Sequence, residues 1–121
     1  MKNRLLLTLL ILLVFVSQTF AGEADIIDVQ VSTEDNRTYK FDVTLLHKDT
    51  GWEHYANKWD ILDDKEQILG TRILHHPHVD EQPFTRSLSG VVIPESINFV
   101  TIRAHDSKHE YGGKVVSVKL R

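Results

Sequence analysis

Apolar and polar residues alternate one by one along several short segments of this chain, and this alternation limits its fold more than any other feature. In the clearest segment, residues 39–45, the apolar side chains are Tyr39, Phe41, Val43 and Leu45. A period of two places such residues on one face of an extended strand, whereas a helix needs a period near 3.6. No segment of the sequence shows a convincing helical period. The pattern therefore predicts an all-β protein.

Similar short segments recur along the chain and are separated by polar turns rich in Asp, Gly and Pro. We predict seven strands, over residues 27–32, 39–45, 55–62, 68–74, 83–92, 98–104 and 115–120. Ile27 should lie on the buried face of the first strand, and Trp59 and Ile61 should point into the core. A seven-strand antiparallel Ig-like β-sandwich, of immunoglobulin or fibronectin-III type, is the fold that this spacing favours.

The first 21 residues have the features of a secretory signal peptide. Lys2 and Arg4 precede an apolar run, Leu5–Val16, that is shorter than the ~20 residues needed to span a bilayer. Small residues follow, and they favour cleavage after Ala21, with Ala24 as a second plausible site. We therefore predict a signal peptide over residues 1–21 and one domain over residues 22–121, located in the periplasm or secreted.

Composition narrows the classes of partner and cofactor. The net charge of −3 argues against nucleic acid and anionic membrane surfaces as partners. The chain has no cysteine, which excludes disulfides, iron–sulfur clusters and an acylated N-terminal Cys, and its single methionine is the initiator. A soft Cu(I) site is therefore disfavoured. We expect a monomer whose stability depends on packing alone.

All seven histidines fall in three short stretches, and these coincide with the second, fourth and sixth loops of the predicted sandwich (the BC, DE and FG loops). They are His47 and His54, then His75, His76 and His78, then His105 and His109. Strands that reverse direction at every loop bring alternate loops to the same end of the domain. The sequence therefore predicts that one pole of the sandwich carries every imidazole of the protein.

A cluster of imidazoles with nearby carboxylates suits zinc, copper(II) or nickel, which take nitrogen and oxygen ligands. The predicted metal ligands are His54, His76, His78, Glu81, His105 and His109. His47 and His75 are interpreted as structural or solvated, while Asp80, Asp106 and Glu110 are interpreted as acidic partners that orient the rings. The bound ion would be stored, delivered, or used as a structural clip for the loops.

Two other uses of this pole remain open, recognition of a partner and sensing of pH. Trp52, Tyr55 and Tyr111 could make it a metal-independent surface for an exported protein or a glycan, or they could simply cap the core. Clustered imidazoles could also sense pH. Catalysis is not expected, because the chain has no G-x-S-x-G elbow, H-E-x-x-H motif or glycine-rich phosphate loop.

Two segments resemble those of small uncharacterised exported bacterial proteins. They are LHHPHVDEQPFTRSL, residues 74–88, and RAHDSKHEYGG, residues 103–113. The resemblance extends over most of residues 22–121 and implies a bacterial exported setting. It implies no activity, cofactor or catalytic residue.

Overall fold

The structure, a computed structural model, describes residues 22–121, so the predicted signal peptide lies outside the described residues. Seven strands account for most of these residues: β1 (Asp25–Thr33), β2 (Tyr39–Leu46), β3 (Ala56–Leu62), β4 (Ile68–Ile73), β5 (Phe84–Val91), β6 (Phe99–Asp106) and β7 (Val116–Lys119). A short 3-10 turn, Asp35–Arg37, connects β1 to β2. Within residues 22–121, no helix has the length and apolar character needed to cross a membrane.

The strands form two antiparallel sheets. One sheet has the order β1-β2-β5 and the other has the order β4-β3-β6-β7. All strand pairs within the two sheets are antiparallel. The prediction of seven antiparallel strands is thus confirmed, with strand ends that differ from the predicted ones by one or two residues.

The three histidine-bearing loops meet at one end of the two sheets. The N–H of Ser107 donates to the carbonyl of Tyr55 at 2.9 Å, joining the loop after β6 to the loop after β2. The N–H of His78 donates to Oδ2 of Asp49 at 2.7 Å, joining the loop after β4 to the loop after β2. We call residues 47–55, 74–83 and 107–115 the loop pole.

The core lies between the inner faces of the sheets. Its largest fully buried side chains include Trp59, Phe41 and Phe84, and Ile61 is also fully buried. Trp59 and Ile61 therefore point inward as predicted. Burial of these large apolar groups is the main favourable contribution to folding in a domain without disulfides.

The first strand departs from the predicted face pattern. Its register with β2 shifts between Ile26 and Asp28, which indicates a bulge. A bulge adds one residue to a strand and reverses the facing of the residues beyond it. Ile26 is consequently buried and Ile27 is 45% exposed, so the predicted burial of Ile27 is wrong.

Candidate metal centre

His47, His54 and Asp106 bring three ligand atoms together inside the loop pole. These atoms all lie within 4.8 Å of one another, and all three residues are buried. Oδ1 of Asp106 lies 3.2 Å from Nε2 of His54, which lies 3.2 Å from Nε2 of His47. Two imidazole nitrogens and a carboxylate oxygen thus face a common point.

Strand periodicity explains why two of these residues point inward. Phe41, Val43 and Leu45 form the buried row of β2, and His47 occupies the next position of that row. Val100, Ile102 and Ala104 form the buried row of β6, and Asp106 is its last member. The strand extends two residues beyond its predicted end at Ala104 and so includes Asp106. The pleat therefore directs both side chains into the same end of the core.

A tight turn places the third residue. The N–H of His54 donates to the carbonyl of Gly51 at 3.1 Å, and the N–H of Thr50 donates to the carbonyl of His54 at 3.0 Å. Gly51 has a φ of 150°, a conformation that side chains with a Cβ rarely adopt. This turn holds the imidazole of His54 between His47 and Asp106.

Asp49 fixes the orientation of His47. Its Oδ1 lies 2.5 Å from Nδ1 of His47 and also accepts the N–H of Ala56 at 3.0 Å. A carboxylate beside Nδ1 keeps a proton on that nitrogen, which leaves Nε2 facing His54 and the carbonyl oxygen of Gly22 at 3.0 Å. Nε2 is therefore the nitrogen that an ion would bind after displacing its proton. Metal-binding histidines commonly have such a carboxylate partner on the nitrogen that faces away from the ion.

The electrostatics of the cluster favour a cation. Burial disfavours the charged imidazole, but the hydrogen bond and charge of Asp49 and the charge of Asp106 outweigh it and raise the pKa of His47. Burial also opposes ionisation of Asp106, yet the N–H groups of His109 and Lys108 keep the pKa of this carboxyl below its ordinary value. Both carboxylates therefore remain ionised near neutral pH and attract positive charge.

The two carboxylate oxygens of Asp106 have different environments. Oδ1 accepts the N–H groups of Lys108 at 2.9 Å and His109 at 2.7 Å, which shapes the start of the last loop. Oδ2 is buried and has no hydrogen-bond partner within the described part of the chain. An ionised oxygen without a partner is costly to bury, and a bound cation would remove that cost.

Two of the predicted ligands are at this cluster. His54 is one of its three members. His109 lies at its outer edge, with Nδ1 3.3 Å from Oδ1 of Asp106 and its ring centroid 4.9 Å from that of His54. Its side chain is partly exposed, so His109 closes the solvent side of the cluster.

The other four predicted ligands lie outside this group. Nε2 of His78 is 2.8 Å from a guanidinium nitrogen of Arg86, and its ring stacks on Phe84 at 4.0 Å. Glu81 pairs with the same guanidinium at 3.2 Å, and His76 is exposed. His105 alternates with Asp106 on β6 and therefore faces the outer side of the sheet, where its Nδ1 contacts Asn57 at 2.6 Å.

Sequence reasoning treated His47 as structural and Asp106 as an auxiliary acid, although both belong to the cluster. The period-2 rows of β2 and β6 contained the needed information. Two residues beyond Leu45 the row of β2 reaches His47, and two residues beyond Ala104 the row of β6 reaches Asp106. Asp49 precedes Thr50 and Gly51 in a segment with the composition of a polar turn, and nothing in this context indicates a buried carboxylate.

A second polar network lies on the outer face of the four-stranded sheet. Asp60 is fully buried and accepts hydrogen bonds from Thr71 at 2.7 Å, Tyr111 at 2.8 Å and Arg103 at 3.0 Å. The guanidinium of Arg103 also lies 3.7 Å from the centre of the Tyr111 ring. Tyr111 thereby anchors the loop that carries His109 to the sheet.

This network predicts an acid-sensitive contribution to stability. Burial opposes ionisation of Asp60, but the donors Thr71, Tyr111 and Arg103 outweigh it and lower its pKa. A folded-state pKa below the unfolded one contributes stability at pH values above about 4, which is lost as pH falls through the folded value. Urea unfolding between pH 7 and 2.5 should show a shallower acid loss for Asp60→Asn than for the wild type. Equal slopes would contradict this prediction.

Comparison with known proteins gives a relative and a shared fold. No protein-family model matches the chain. The chain is 38% identical over 96 residues to a protein of Halomicrobium mukohataei named "Putative lipoprotein", a match that spans 79% of this chain and 47% of the relative. The chain thus spans about half the length of the curated relative that it matches.

The fold is similar to that of a hypothetical protein from Pyrococcus horikoshii OT3, known from its crystal structure. The TM-score is 0.54 at 13% sequence identity, covering 90% of this chain and 99% of the other. At this identity the similarity concerns the fold alone. The all-β architecture of two antiparallel sheets is therefore shared with a solved structure.

Proposed function

We propose that this chain is an exported, monomeric domain that binds one divalent transition metal ion through His47, His54 and Asp106. The observation that carries the proposal is the meeting of two imidazole nitrogens and a carboxylate oxygen, which lie within 4.8 Å of one another on three buried residues. The other oxygen of that carboxylate, Oδ2 of Asp106, has no hydrogen-bond partner among residues 22–121. His109 is proposed as a fourth ligand or as the outer cover of the site. The proposed function is binding, without catalysis.

The cluster geometry supports an ion more than a network of protons. With Asp49 holding a proton of His47 on Nδ1, Nε2 is the nitrogen that faces His54 and would bind an ion once its own proton is displaced. A single shared proton could satisfy those two nitrogens, but it would leave Oδ2 of Asp106 unpaired. One ion between the three residues would satisfy both nitrogens and the carboxylate at once.

The donor set restricts the choice of metal. Two imidazoles and a carboxylate suit zinc, copper(II) and nickel, and they also match the ligands of many non-haem Fe²⁺ centres. The absence of sulfur ligands disfavours Cu(I). We also propose that the two antiparallel sheets form a sandwich of the immunoglobulin-like type. The gathering of three loops at one end of the sheets supports this assignment.

Thermal unfolding of residues 22–121 provides the test, first with EDTA and then with Zn²⁺, Cu²⁺, Ni²⁺ or anaerobic Fe²⁺. An ion at 100 times its Kd stabilises the folded state by about 2.7 kcal/mol, which corresponds to a rise in Tm of roughly 10–20 °C for a domain of this size. His47→Ala and His54→Ala should abolish the rise. The exposed His76→Ala is the matched control and should retain it.

The absence of a Tm shift with all four ions at pH 7.5 would refute the proposal. A shift that survives His47→Ala and His54→Ala but is lost in His78→Ala would move the site to the loop after β4. That result would restore the ligand set centred on His76, His78 and Glu81.

A second function, recognition of an exported protein or glycan, is favoured by Trp52. This side chain is 66% exposed at the loop pole and packs edge-on against Tyr55 at 5.5 Å between ring centroids. An exposed Trp suits an interface anchor or a platform for a sugar ring. Glycan-array binding that is lost in Trp52→Ala and retained in EDTA would support this alternative over metal binding.

A further inference from the structure

The start of the described chain lies at the metal cluster. The carbonyl oxygen of Gly22 is 3.0 Å from Nε2 of His47, the nitrogen that also faces His54. Gly22 directly follows Ala21, the residue after which cleavage of the signal peptide is predicted. The first residue of the processed domain therefore contacts a proposed ligand.

The segment that carries Gly22 is held firmly in this position. Ala24 is buried in the core, and the N–H of Ile26 donates to the carbonyl of Lys114 at 2.9 Å. The N–H of Lys114 donates in return to Oδ1 of Asp25 at 2.7 Å. Gly113 permits this close packing, because a Cβ there would lie only 2.0 Å from the carbonyl oxygen of Ala24.

We propose that removal of residues 1–21 completes the metal site by creating a new ligand, the α-amino group of Gly22. This inference rests on the proposed function, since it adds a ligand to the ion at His47, His54 and Asp106. Hydrolysis of the Ala21–Gly22 peptide bond releases a carboxylate on Ala21 and an amine on Gly22. The amide nitrogen of the precursor has no available lone pair, whereas the deprotonated amine has one.

Covalent geometry keeps the new amine close to the carbonyl oxygen of Gly22, the atom that lies 3.0 Å from Nε2 of His47. The nitrogen and carbonyl oxygen of one residue are separated by about 2.7–3.6 Å. Both atoms of Gly22 can therefore bind the same ion in a five-membered chelate ring, adding a nitrogen and an oxygen donor to the cluster. The site then has its full ligand set only after export, so the precursor binds metal more weakly than the mature protein.

The burial of Ala24 also discriminates between the two predicted cleavage sites. Cleavage after Ala24 would remove a core residue together with Gly22. Cleavage after Ala21 keeps both. The intact mass of the exported protein is expected to correspond to a chain that begins at Gly22, and a chain that begins at Asp25 would overturn the inference.

The decisive experiment compares metal affinity in three forms of the domain by competition titration with Zn²⁺ and Cu²⁺ at pH 8. These are residues 22–121 with a free amine, the same residues with an acetylated amine, and a form extended by Ala21. Residues that hydrogen-bond to the ligands of a metal ion contribute about 10–100-fold to metal affinity, and a direct ligand contributes at least as much. The free-amine form should bind at least about tenfold more tightly than the other two.

Two variants control for indirect effects. His76→Ala changes an exposed histidine outside the cluster, so it should keep the tight binding and its dependence on the free amine. Gly113→Ala displaces Ala24 and should lower the affinity of the free-amine form to that of the acetylated form, with no further loss on acetylation. Circular dichroism verifies that each variant is folded.

The outcomes separate this inference from the proposed function. Equal affinity in the three forms would overturn the role of the amine and leave the site at His47, His54 and Asp106 intact. The absence of binding in all three forms would refute the proposed function and the inference together. Tight binding that depends on the free amine but survives His47→Ala would assign the amine to a different metal site and overturn the inference.

Discussion

Asp106→Asn is expected to lower the affinity for the metal ion by more than about 100-fold, the largest effect of any single substitution at the cluster. The amide keeps the size of the carboxylate, and its oxygen can still accept the N–H groups of Lys108 and His109. What it loses is the negative charge of an anionic ligand, and a direct ligand should contribute more than the 10–100-fold typical of residues that only hydrogen-bond to a ligand. Competition titration with Zn²⁺ would measure the effect.

Asp49→Asn is a control for which a smaller loss of metal affinity is expected. It removes the carboxylate that holds the proton on Nδ1 of His47, but it removes no proposed ligand. The expected loss is therefore smaller, in the 10–100-fold range. Binding that is unaffected by Asp106→Asn would contradict the proposed site, whatever the result for Asp49→Asn.

Trp59→Ala is expected to lower the free energy of unfolding by about 3–5 kcal/mol, the range found for large aromatic residues truncated in a core. Trp59 is fully buried at the centre of the sandwich. A domain of this size has a total stability of about 5–15 kcal/mol, so the loss is a large share of it. Urea unfolding should show a midpoint lower by more than about 1 M.

The second tryptophan provides a matched control. Trp52 has the same side chain but is 66% exposed, so Trp52→Ala should change the free energy of unfolding by less than about 0.5 kcal/mol. Equal losses in the two variants would mean that Trp59 is not in the core, and the assigned register of β3 would be wrong. The domain has no cysteine, so the measurement needs no control for disulfides.

Much of the fold was predictable because strand periodicity is a local property. The strands predicted over residues 39–45 and 55–62 correspond to the observed Tyr39–Leu46 and Ala56–Leu62, and Trp59 and Ile61 were placed correctly in the core. The error at Ile27 arose from the bulge in β1. A bulge depends on how one strand pairs with another, so a strand read in isolation does not show it.

The candidate site was predictable only in part. The clustering of histidine in alternate loops correctly located the loop pole, because antiparallel connectivity sends alternate loops to the same end. Of the six predicted ligands, the structure brings His54 and His109 to the cluster. His47 and Asp106 continue the buried rows of β2 and β6, whereas His78 and His105 make contacts with Arg86 and Asn57 that sequence distance conceals.

The sequence by itself determined the all-β class, the number of strands and the end of the domain that carries the histidines. These follow from residue periodicity and from the order of strands and loops, which are read along the chain. The tertiary structure alone decided which donors meet. The distances between His47, His54, Asp106 and the carbonyl of Gly22 depend on the packing of three loops and the first residues of the domain against one another.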